Sequence, residues 1–278
     1  MNVPCGKEAI GELFNKVAPI YGTVGPETFV LFGNALVNAA AILPGCRILD
    51  LACGRGAVLF PAAELAGPTG SAVGIDISRS MVDHLNREIA GRGCSTIETV
   101  VMDAENLHFD DNSFDYVLCG FGIFFCPNPI LALKEALRVL KASGIIAIST
   151  WEGMEMRRKT ICDALAALPY AINAKEATRM LPKGFDSEGE IRKNLAIAGF
   201  SDISVRVETG IFFYRDEEEW WSAQWSHGIR SVLESIEKQA GKDALYRYKQ
   251  MVFQSLQKNR EAEGIRQEMR ALITVGKK

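Results

Sequence analysis

Short apolar runs alternate with amphipathic stretches from about residue 47 to residue 150. The run Arg47-Ile-Leu-Asp-Leu-Ala52 predicts a buried strand that leads directly into the turn Cys53-Gly-Arg-Gly56. Further apolar runs predict strands at 71–76, 98–103, 115–120 and 144–150. The stretches between them predict helices at 57–66, from Ser78 onward, and at 130–140. Strands that alternate with helices indicate βαβ units, a parallel sheet and right-handed crossovers.

The pattern becomes mainly helical after Trp151. It predicts helical structure at 155–183, a helix at 187–198, a strand at 203–207, polar helical structure at 216–262 and a terminal strand at 269–275. The simplest arrangement is one α/β sheet domain whose helical insertions form a cap. Because no internal repeat or linker interrupts the chain, we do not expect the cap to fold separately.

Composition narrows the class of protein. The apolar fraction of 48% and the charged fraction of 23% are ordinary for a globular chain of 278 residues. The 31 basic and 34 acidic residues give a net charge of -3, whereas a protein that holds many nucleic-acid phosphates usually has a basic excess. No run of 18 apolar residues occurs. We therefore expect no nucleic-acid partner and no stable membrane insertion.

The cysteines and the first residues indicate the compartment. The chain has seven cysteines and no CxxC spacing, which favours reduced thiols over a disulfide framework or a metal site. The start of the chain, Met1-Asn2-Val3-Pro4, lacks the basic and then apolar pattern of a secretion signal. We therefore expect a cytoplasmic protein with no bound metal.

The segment Leu49-Asp-Leu-Ala-Cys-Gly-Arg-Gly56 is a predicted strand that enters a glycine-rich turn before a helix. Gly54 and Gly56 allow a sharp turn and let a ligand approach the main chain closely. Open α/β sheets bind ligands at this place, beyond the carboxyl end of a parallel strand. A dinucleotide site would need a third glycine where Leu59 stands. The turn therefore favours an uncharged or zwitterionic nucleoside over a pyrophosphate.

Two aspartates follow the next two predicted strands. Asp76 lies twenty residues after Gly56, the distance at which an acidic residue meets ribose hydroxyls in such sheets. Asp103 follows the third strand and could accept a hydrogen bond from an adenine amino group. Ligand-type residues after three successive strands indicate one nucleoside site along the sheet edge.

These segments together resemble the class I S-adenosylmethionine-dependent methyltransferases. The first motif of that family is usually D-x-G-x-G-x-G, and Ala52 stands here in place of its first glycine. Gly74-Ile-Asp-Ile-Ser78 resembles the ribose-binding motif, and Met102-Asp-Ala-Glu-Asn-Leu107 resembles the adenine-recognition motif. Val17-Ala-Pro-Ile-Tyr21 resembles the entry segment of the ubiquinone- and menaquinone-type small-molecule methyltransferases.

The resemblance implies a fold and a division of the chain. The fold is an α/β, Rossmann-like, doubly wound and mostly parallel seven-stranded sheet with an antiparallel last strand beside the sixth and helical cap insertions. The implied segments are a helical entry or lid segment (1–45), the cofactor-binding core (46–152), a helical cap insertion (153–185), a return to the core (186–208), a second helical cap insertion (209–265) and the terminal strand (266–278).

The resemblance also implies S-adenosylmethionine as cofactor, with S-adenosylhomocysteine as product. Asp103 would recognise adenine through its side chain and Ala104 through its backbone, while Met81 would pack against the ring. The expected cofactor-binding residues are Tyr21, Asp50, Ala52, Cys53, Gly54, Gly56, Asp76, Ile77, Met81, Asp103, Ala104, Glu105, Cys119 and Phe124.

The acceptor is expected to be a small molecule. The loop after the fourth strand lacks the N-P-P-[YF] signature of methyltransferases that act on amino groups of nucleic acids and glutamine, which favours a carbon or oxygen acceptor. His227 is the candidate general base, provided that its helix breaks near Gly228. Aromatic residues are expected to line an apolar or aromatic acceptor pocket, with Trp221, Trp225 and Gly228 on one helical stripe: Phe121, Phe125, Trp151, Trp221 and Trp225.

Three functions remain open from the sequence. The favoured one is a small-molecule methyltransferase that is a monomer or a homodimer. The second is a cofactor-binding cyclase or isomerase of natural-product type that does not transfer the methyl group. The third is a nicotinamide-linked oxidoreductase, which the missing third glycine disfavours.

Overall fold

The computed structural model describes residues 6–181 and 183–278. Two predictions lie outside the described residues: the reduced thiol of Cys5, and the absence of a secretion signal at residues 1–4. The strands are β1 (Arg47–Leu51), β2 (Ser71–Asp76), β3 (Ile97–Val101), β4 (Phe114–Gly120), β5 (Leu140–Trp151), β6 (Ser201–Tyr214), β7 (Arg260–Glu261) and β8 (Gly264–Lys277). The helices are α1 (Lys7–Val17), α2 (Thr28–Ala40), α3 (Leu59–Ala66), α4 (Arg79–Arg92), α5 (Pro129–Val139), α6 (Met154–Ala166), α7 (Ala174–Ala177), α8 (Glu188–Ala198), α9 (Glu217–Trp225) and α10 (Arg230–Leu256).

All the strands join one sheet in the order β3-β2-β1-β4-β5-β8-β6, with the two-residue β7 paired to β8. The pairs among β1 to β5 are parallel, and β8 runs antiparallel between β5 and β6. This confirms the predicted doubly wound α/β fold with its antiparallel last strand. The strand order reverses between β1 and β4, and such a switch point opens a crevice at the carboxyl ends of the strands.

Helices cover both faces of this sheet because successive residues of its strands point to opposite sides. On β1, Ile48 packs with α2 and α3, through Phe32 and Leu59, in one apolar cluster. Its neighbour Leu49 packs on the other face in a second cluster, which includes Leu133 of α5. These positions are fully buried. The two clusters hold the carboxyl ends of β1 and β2 in a fixed position.

The N-terminus of α4 is set by a side-chain cap. The Ser78 hydroxyl accepts a hydrogen bond from the Met81 backbone N–H at 3.1 Å, as expected of a serine N-cap. The same hydroxyl donates to Asn15 Oδ1 at 2.7 Å, and that oxygen also accepts from the Ser80 N–H at 3.0 Å. Helix α1 is thereby fixed across the end of β2.

Helices α6, α7, α9 and α10 form the cap around a cluster that includes Leu165, Val232 and Ile236. The predicted boundary of the second insertion at 209 is wrong, because β6 continues to Tyr214. Phe212 and Tyr214 are buried at alternate positions, and this stretch pairs with the first residues of β8. The insertion is therefore helical only beyond the end of β6.

None of the helices in the described ranges has the length and apolar character needed to cross a membrane.

Candidate functional site

Three adjoining cavities open at the carboxyl ends of the strands. The strand-end cavity is lined by residues that follow β2 and β3, among them Asp76 and Asp103. The turn cavity lies along the turn after β1, and the cap cavity lies between the sheet and the cap. Tyr21 and Phe121 line all three. A ligand that extends along the strand ends would therefore meet a second ligand under the cap at these two rings.

The turn after β1 uses the left-handed backbone region at Ala52, Gly54 and Gly56, whose φ angles are +53°, +50° and +84°. A Cβ added at Gly54 would find no atom closer than Tyr21 Cε1 at 3.9 Å, so it would project into the cavity space. A Cβ at Gly56 would instead lie 2.7 Å from the Phe60 ring. Gly54 therefore keeps room for a ligand, whereas Gly56 allows α3 to pack closely.

Ala52 stands where the family motif has its first glycine, and its backbone is in the left-handed region. This conformation costs an L-residue roughly 1–2 kcal/mol relative to a right-handed one. Its methyl group packs against Gly122, where an added Cβ would lie only 2.5 Å from the Ala52 Cβ. The loop after β4 therefore needs a glycine at 122 because the turn after β1 carries an alanine at 52.

Asp76 ends β2 with its carboxylate held by two backbone groups. Oδ1 accepts from the Ser78 N–H at 2.8 Å, and Oδ2 accepts from the Gly54 N–H at 3.0 Å. Burial raises the pKa of Asp76 to about 6, against the opposing effect of these two hydrogen bonds. Each oxygen keeps a lone pair for a further donor. The carboxylate is thus oriented to accept hydrogen bonds from hydroxyl groups in the strand-end cavity.

Asp50 lies on the turn cavity with only 1% of its surface exposed. Neither of its carboxylate oxygens finds a hydrogen-bond partner within residues 6–181 and 183–278. Burial, and then the charge of Asp76, raise the pKa of Asp50 well above its usual range. A buried acceptor without a donor is costly, so this site fits a ligand that brings a donor or a positive charge.

Asp103 and Glu105 form an acidic pair in the strand-end cavity. The Asp103 Oδ1 accepts from the Glu105 N–H at 2.9 Å, and Glu105 Oε1 accepts from the Asn128 N–H at 2.7 Å. Lys7 of α1 reaches across the cavity to Asp103 at 2.5 Å and to Glu105 at 2.8 Å. Hydrogen bonds to these two acids, led by Asp103, raise the pKa of Lys7 to about 12. Helix α1 is therefore tied to the expected adenine-binding loop.

The structure brings together most of the residues expected to bind the cofactor. The strand-end cavity is lined by Tyr21, Ala52, Gly54, Asp76, Ile77, Met81, Asp103, Ala104 and Glu105. The turn cavity adds Asp50, Cys53 and Gly56. Cys119 lines neither, because its side chain points into the core between the sheet and α5. Phe124 lines the cap cavity and not the other two.

The cap cavity receives three of the five aromatic residues predicted to line an acceptor pocket. Phe121, Phe125 and Trp151 lie on its wall, and Phe121 stacks on Trp151 with ring centroids 3.9 Å apart. Trp221 and Trp225 do not line it, whereas Gly228, the third residue of the predicted stripe, does. Their rings belong to the cap core: Trp221 lies 6.2 Å from Tyr248, and the Arg230 guanidinium lies 5.6 Å from the Trp225 ring.

His227 lies on the cap cavity because the helix breaks near Gly228, as its candidate role requires. Helix α9 ends at Trp225 and α10 begins at Arg230, which leaves Ser226, His227 and Gly228 as a turn on the cavity wall. Burial, and then the positive charge of Arg157, lower the pKa of His227 to about 3. The imidazole is therefore neutral at physiological pH and a poor acceptor for a proton.

Several cavity residues were not anticipated from the sequence. Lys7 and Phe14 come from α1, Phe29 comes from α2, and Met154 and Arg157 come from α6. No local motif marks these positions, since only the packing of the entry helices and the cap on the sheet brings them to the cavities. Over the described part of the chain, no group of three or more His, Cys, Asp or Glu residues is placed to hold a metal ion.

Comparisons with known proteins identify the family of this chain. A family model described as a methyltransferase domain matches residues 48–144. The chain is 37% identical over 144 residues to the aklanonic acid methyltransferase DauC of Streptomyces sp. strain C5, covering 52% of this chain and 66% of that enzyme. It is 31% identical over 236 residues to the nocamycin O-methyltransferase of Saccharothrix syringae, covering 81% of this chain and 84% of that enzyme.

A solved structure shares the whole fold. The [4+2]-cyclase SpnF superimposes with a TM-score of 0.61, and the match covers 100% of this chain and 99% of that one at 17% identity. This likeness concerns the fold alone. The O-methyltransferase match extends over most of both chains, and the family model covers the strand ends that form the site. The chain therefore belongs to the S-adenosylmethionine-dependent methyltransferases.

Proposed function

We propose that this enzyme methylates a carbon or oxygen atom of an apolar or aromatic small molecule that binds in the cap cavity. The observation that carries the proposal is the wall shared by the cap cavity and the strand-end cavity, formed by Phe14, Tyr21, Phe121 and Phe125. A nucleoside along the strand ends and an acceptor under the cap would meet at these rings. The nocamycin O-methyltransferase supports oxygen as one of the two acceptor atoms.

The residues present fit the cofactor. We assign the ribose hydroxyls to the Asp76 carboxylate and the adenine amino group to Asp103, beside Met81. The unpaired Asp50 carboxylate fits the ammonium group of the methionyl part, and Gly54 leaves the space that this part needs. When bound, S-adenosylmethionine would supply a methyl group that passes in line from its sulfonium sulfur to the acceptor atom, with S-adenosylhomocysteine as the leaving group.

The chain itself contributes alignment and the exclusion of water. Tyr21 stacks on Phe29 with ring centroids 5.1 Å apart, and Phe29 in turn contacts Phe121 edge to face. We expect these rings to restrict the acceptor and to exclude bulk water beside the shared wall. Holding two reactants in line is itself a large source of rate enhancement. We assign His227 a hydrogen bond to the acceptor as a neutral imidazole, since a pKa of about 3 does not suit a base.

The test is methyl transfer to a chemical panel. S-adenosylmethionine labelled in its methyl group is incubated with the enzyme and with quinols, phenols and aromatic carboxylic acids. We expect S-adenosylhomocysteine to appear in step with a labelled product, and the Gly54→Val variant to lose this transfer. Binding of the cofactor without transfer to any acceptor would contradict the proposal and favour a cyclase or isomerase. A melting-temperature shift with NAD but not with S-adenosylmethionine would contradict the cofactor assignment as well.

A further inference from the structure

Arg157 is the charged residue of the cap cavity. It lies on α6 and is half-buried on the cavity wall. The other described residues of that wall are apolar, aromatic or neutral polar, His227 being neutral because of its low pKa. The cavity therefore has one positive charge and no negative charge from the described residues that line it.

Arg157 has no acidic partner among the described residues. Its side chain has one hydrogen bond, from Nη2 to Gln224 Oε1 at 3.5 Å, the outer limit for such a bond. Burial lowers the pKa of Arg157, and the groups that oppose this effect are the phenols of Tyr214 and Tyr248 and not carboxylates. A guanidinium has five N–H donors, so most of them remain available in the cavity. Buried charges in proteins are normally paired.

Other arginines of the chain show what is missing. Arg158, the next residue on α6, pairs with Glu155 one turn before it. Arg138 pairs with Glu135 at 2.9 Å and with Asp111 at 2.7 Å. Arg157 alone of these three lies on the wall of the cap cavity.

The surrounding polar groups hold Arg157 in place. Gln224 Nε2 donates to the Trp220 carbonyl at 3.0 Å, which leaves Gln224 Oε1 turned toward the guanidinium. The Trp220 indole N–H in turn donates to Gln267 Oε1 at 2.7 Å. The amide oxygens of both glutamines are thereby occupied, and the free donors of Arg157 are the strongest unmet hydrogen-bonding groups on this wall.

We propose that the acceptor carries a carboxylate and that Arg157 binds it, an inference that rests on the proposed methyltransferase function. Arginine binds a carboxylate through two parallel N–H···O bonds, which fix orientation as well as add affinity. Arg157 lines the cap cavity but not the strand-end cavity, so the anion lies away from the wall shared by the two. The carboxylate therefore anchors the acceptor, and a different atom of it faces Tyr21 and Phe121.

The test compares acids with their neutral counterparts. Protein saturated with S-adenosylhomocysteine is titrated calorimetrically with benzoate, 2-naphthoate and 9-anthroate, and with the three corresponding carboxamides. We expect at least one acid to bind about tenfold or more tightly than its amide. In Arg157→Gln the affinity for that acid should fall about 10- to 100-fold, with the amide within about twofold. Arg157→Lys keeps the positive charge but cannot form the two parallel N–H···O bonds of a guanidinium. Its affinity for that acid should lie between those of the native protein and Arg157→Gln.

Lys159→Gln is the matched control, because it removes the same charge from the exposed face of α6. We expect it to bind both ligand classes as the native protein does. The proposal is overturned if acid and amide bind equally, if Arg157→Gln keeps the preference, if Lys159→Gln loses it, or if no acid binds at millimolar concentration. Melting curves show whether each variant is folded. If Arg157→Gln does not fold, the acid affinity of Arg157→Lys tests the proposal in its place.

A turnover arm separates this inference from the proposed function. Methylation of neutral phenols at the same rate by native enzyme and Arg157→Gln, without methylation of acids, would leave the function standing and refute the anionic acceptor. Absence of transfer to any compound would refute the function, while an acid preference that depends on Arg157 would still support the carboxylate site.

Discussion

Acidification should weaken cofactor binding by protonating Asp76. In the free protein burial raises the pKa of this carboxyl to about 6 from its usual 3.8, although the N–H groups of Ser78 and Gly54 donate to it. Ribose hydroxyls donate to the ionised form and therefore favour it. Binding of the cofactor should consequently release a proton when the pH lies below about 6.

The magnitude follows from the fraction of ionised carboxylate. At pH 5 a group with a pKa of about 6 is ionised in roughly one molecule in eleven, so protonation of Asp76 alone should make the affinity about tenfold lower than at pH 7.5. Unfolding would not explain the loss. The pKa in the folded state is raised, so the contribution of Asp76 to stability is present at low pH and is lost as the pH rises from about 4 to about 6.

The assay is calorimetric titration with S-adenosylhomocysteine at pH 5.0, 6.0 and 7.5, with thermal melts of the free protein at each pH. The Asp76→Asn variant is the control. It should bind about 10- to 100-fold more weakly at pH 7.5, because it loses the charge-assisted hydrogen bonds to ribose. Between pH 5.0 and 7.5 its affinity should change less than that of the native protein, and the change that remains is expected from Asp50, whose pKa is also raised. Native affinity that is constant with pH, or an equal pH dependence in the variant, would refute the assignment of Asp76.

Three further substitutions test the turn after β1 and the cap. Gly54→Val should lower cofactor affinity, measured by calorimetry, by more than about a hundredfold, because its side chain enters the cavity. Gly67→Val is the control, since Gly67 also has a positive φ but has open space around it, and it should leave cofactor affinity unchanged. Gly122→Ala should lower the free energy of unfolding, measured in urea, by about 1–3 kcal/mol, because its Cβ would clash with that of Ala52. Adding Ala52→Gly should recover at least half of this loss. If the two substitutions instead destabilise additively, the clash between residues 52 and 122 is refuted. His227→Ala should reduce turnover by less than about tenfold, and a loss of a hundredfold or more would show that this imidazole acts as a base despite its lowered pKa.

The sheet and its ligand edge were predictable because local patterns determine them. The apolar run at 71–76 matches β2 residue for residue, and Ser78 caps α4 as its sequence context predicts. Asp76 and Asp103 lie on one cavity, as expected, since a parallel sheet brings the carboxyl ends of successive strands to one edge. A residue at or just after the end of a strand can therefore be placed at the sheet edge from the sequence alone.

The cap was less predictable because its faces depend on helices that are distant in sequence. The spacing of Trp221 and Trp225 correctly places them on one face of α9, but α10 covers that face, so they pack in the cap core. Arg157 has no neighbouring motif, and only the approach of α6 to Gln224 shows that its charge lacks an acidic partner. The ion pair between Lys7 and Asp103 was not predictable for the same reason, because it forms only when α1 packs against the sheet edge.

A crystal structure of the complex with S-adenosylhomocysteine would test whether the strand edge is the cofactor site. The ribose hydroxyl oxygens should lie about 2.7 Å from the Asp76 carboxylate, the adenine amino group on Asp103, and the sulfur atom beside the wall formed by Tyr21 and Phe121. The methionyl ammonium should lie within hydrogen-bonding reach of Asp50. A nucleoside bound elsewhere, or a ribose that does not contact Asp76, would contradict the assignment of this strand edge as the site of methyl transfer.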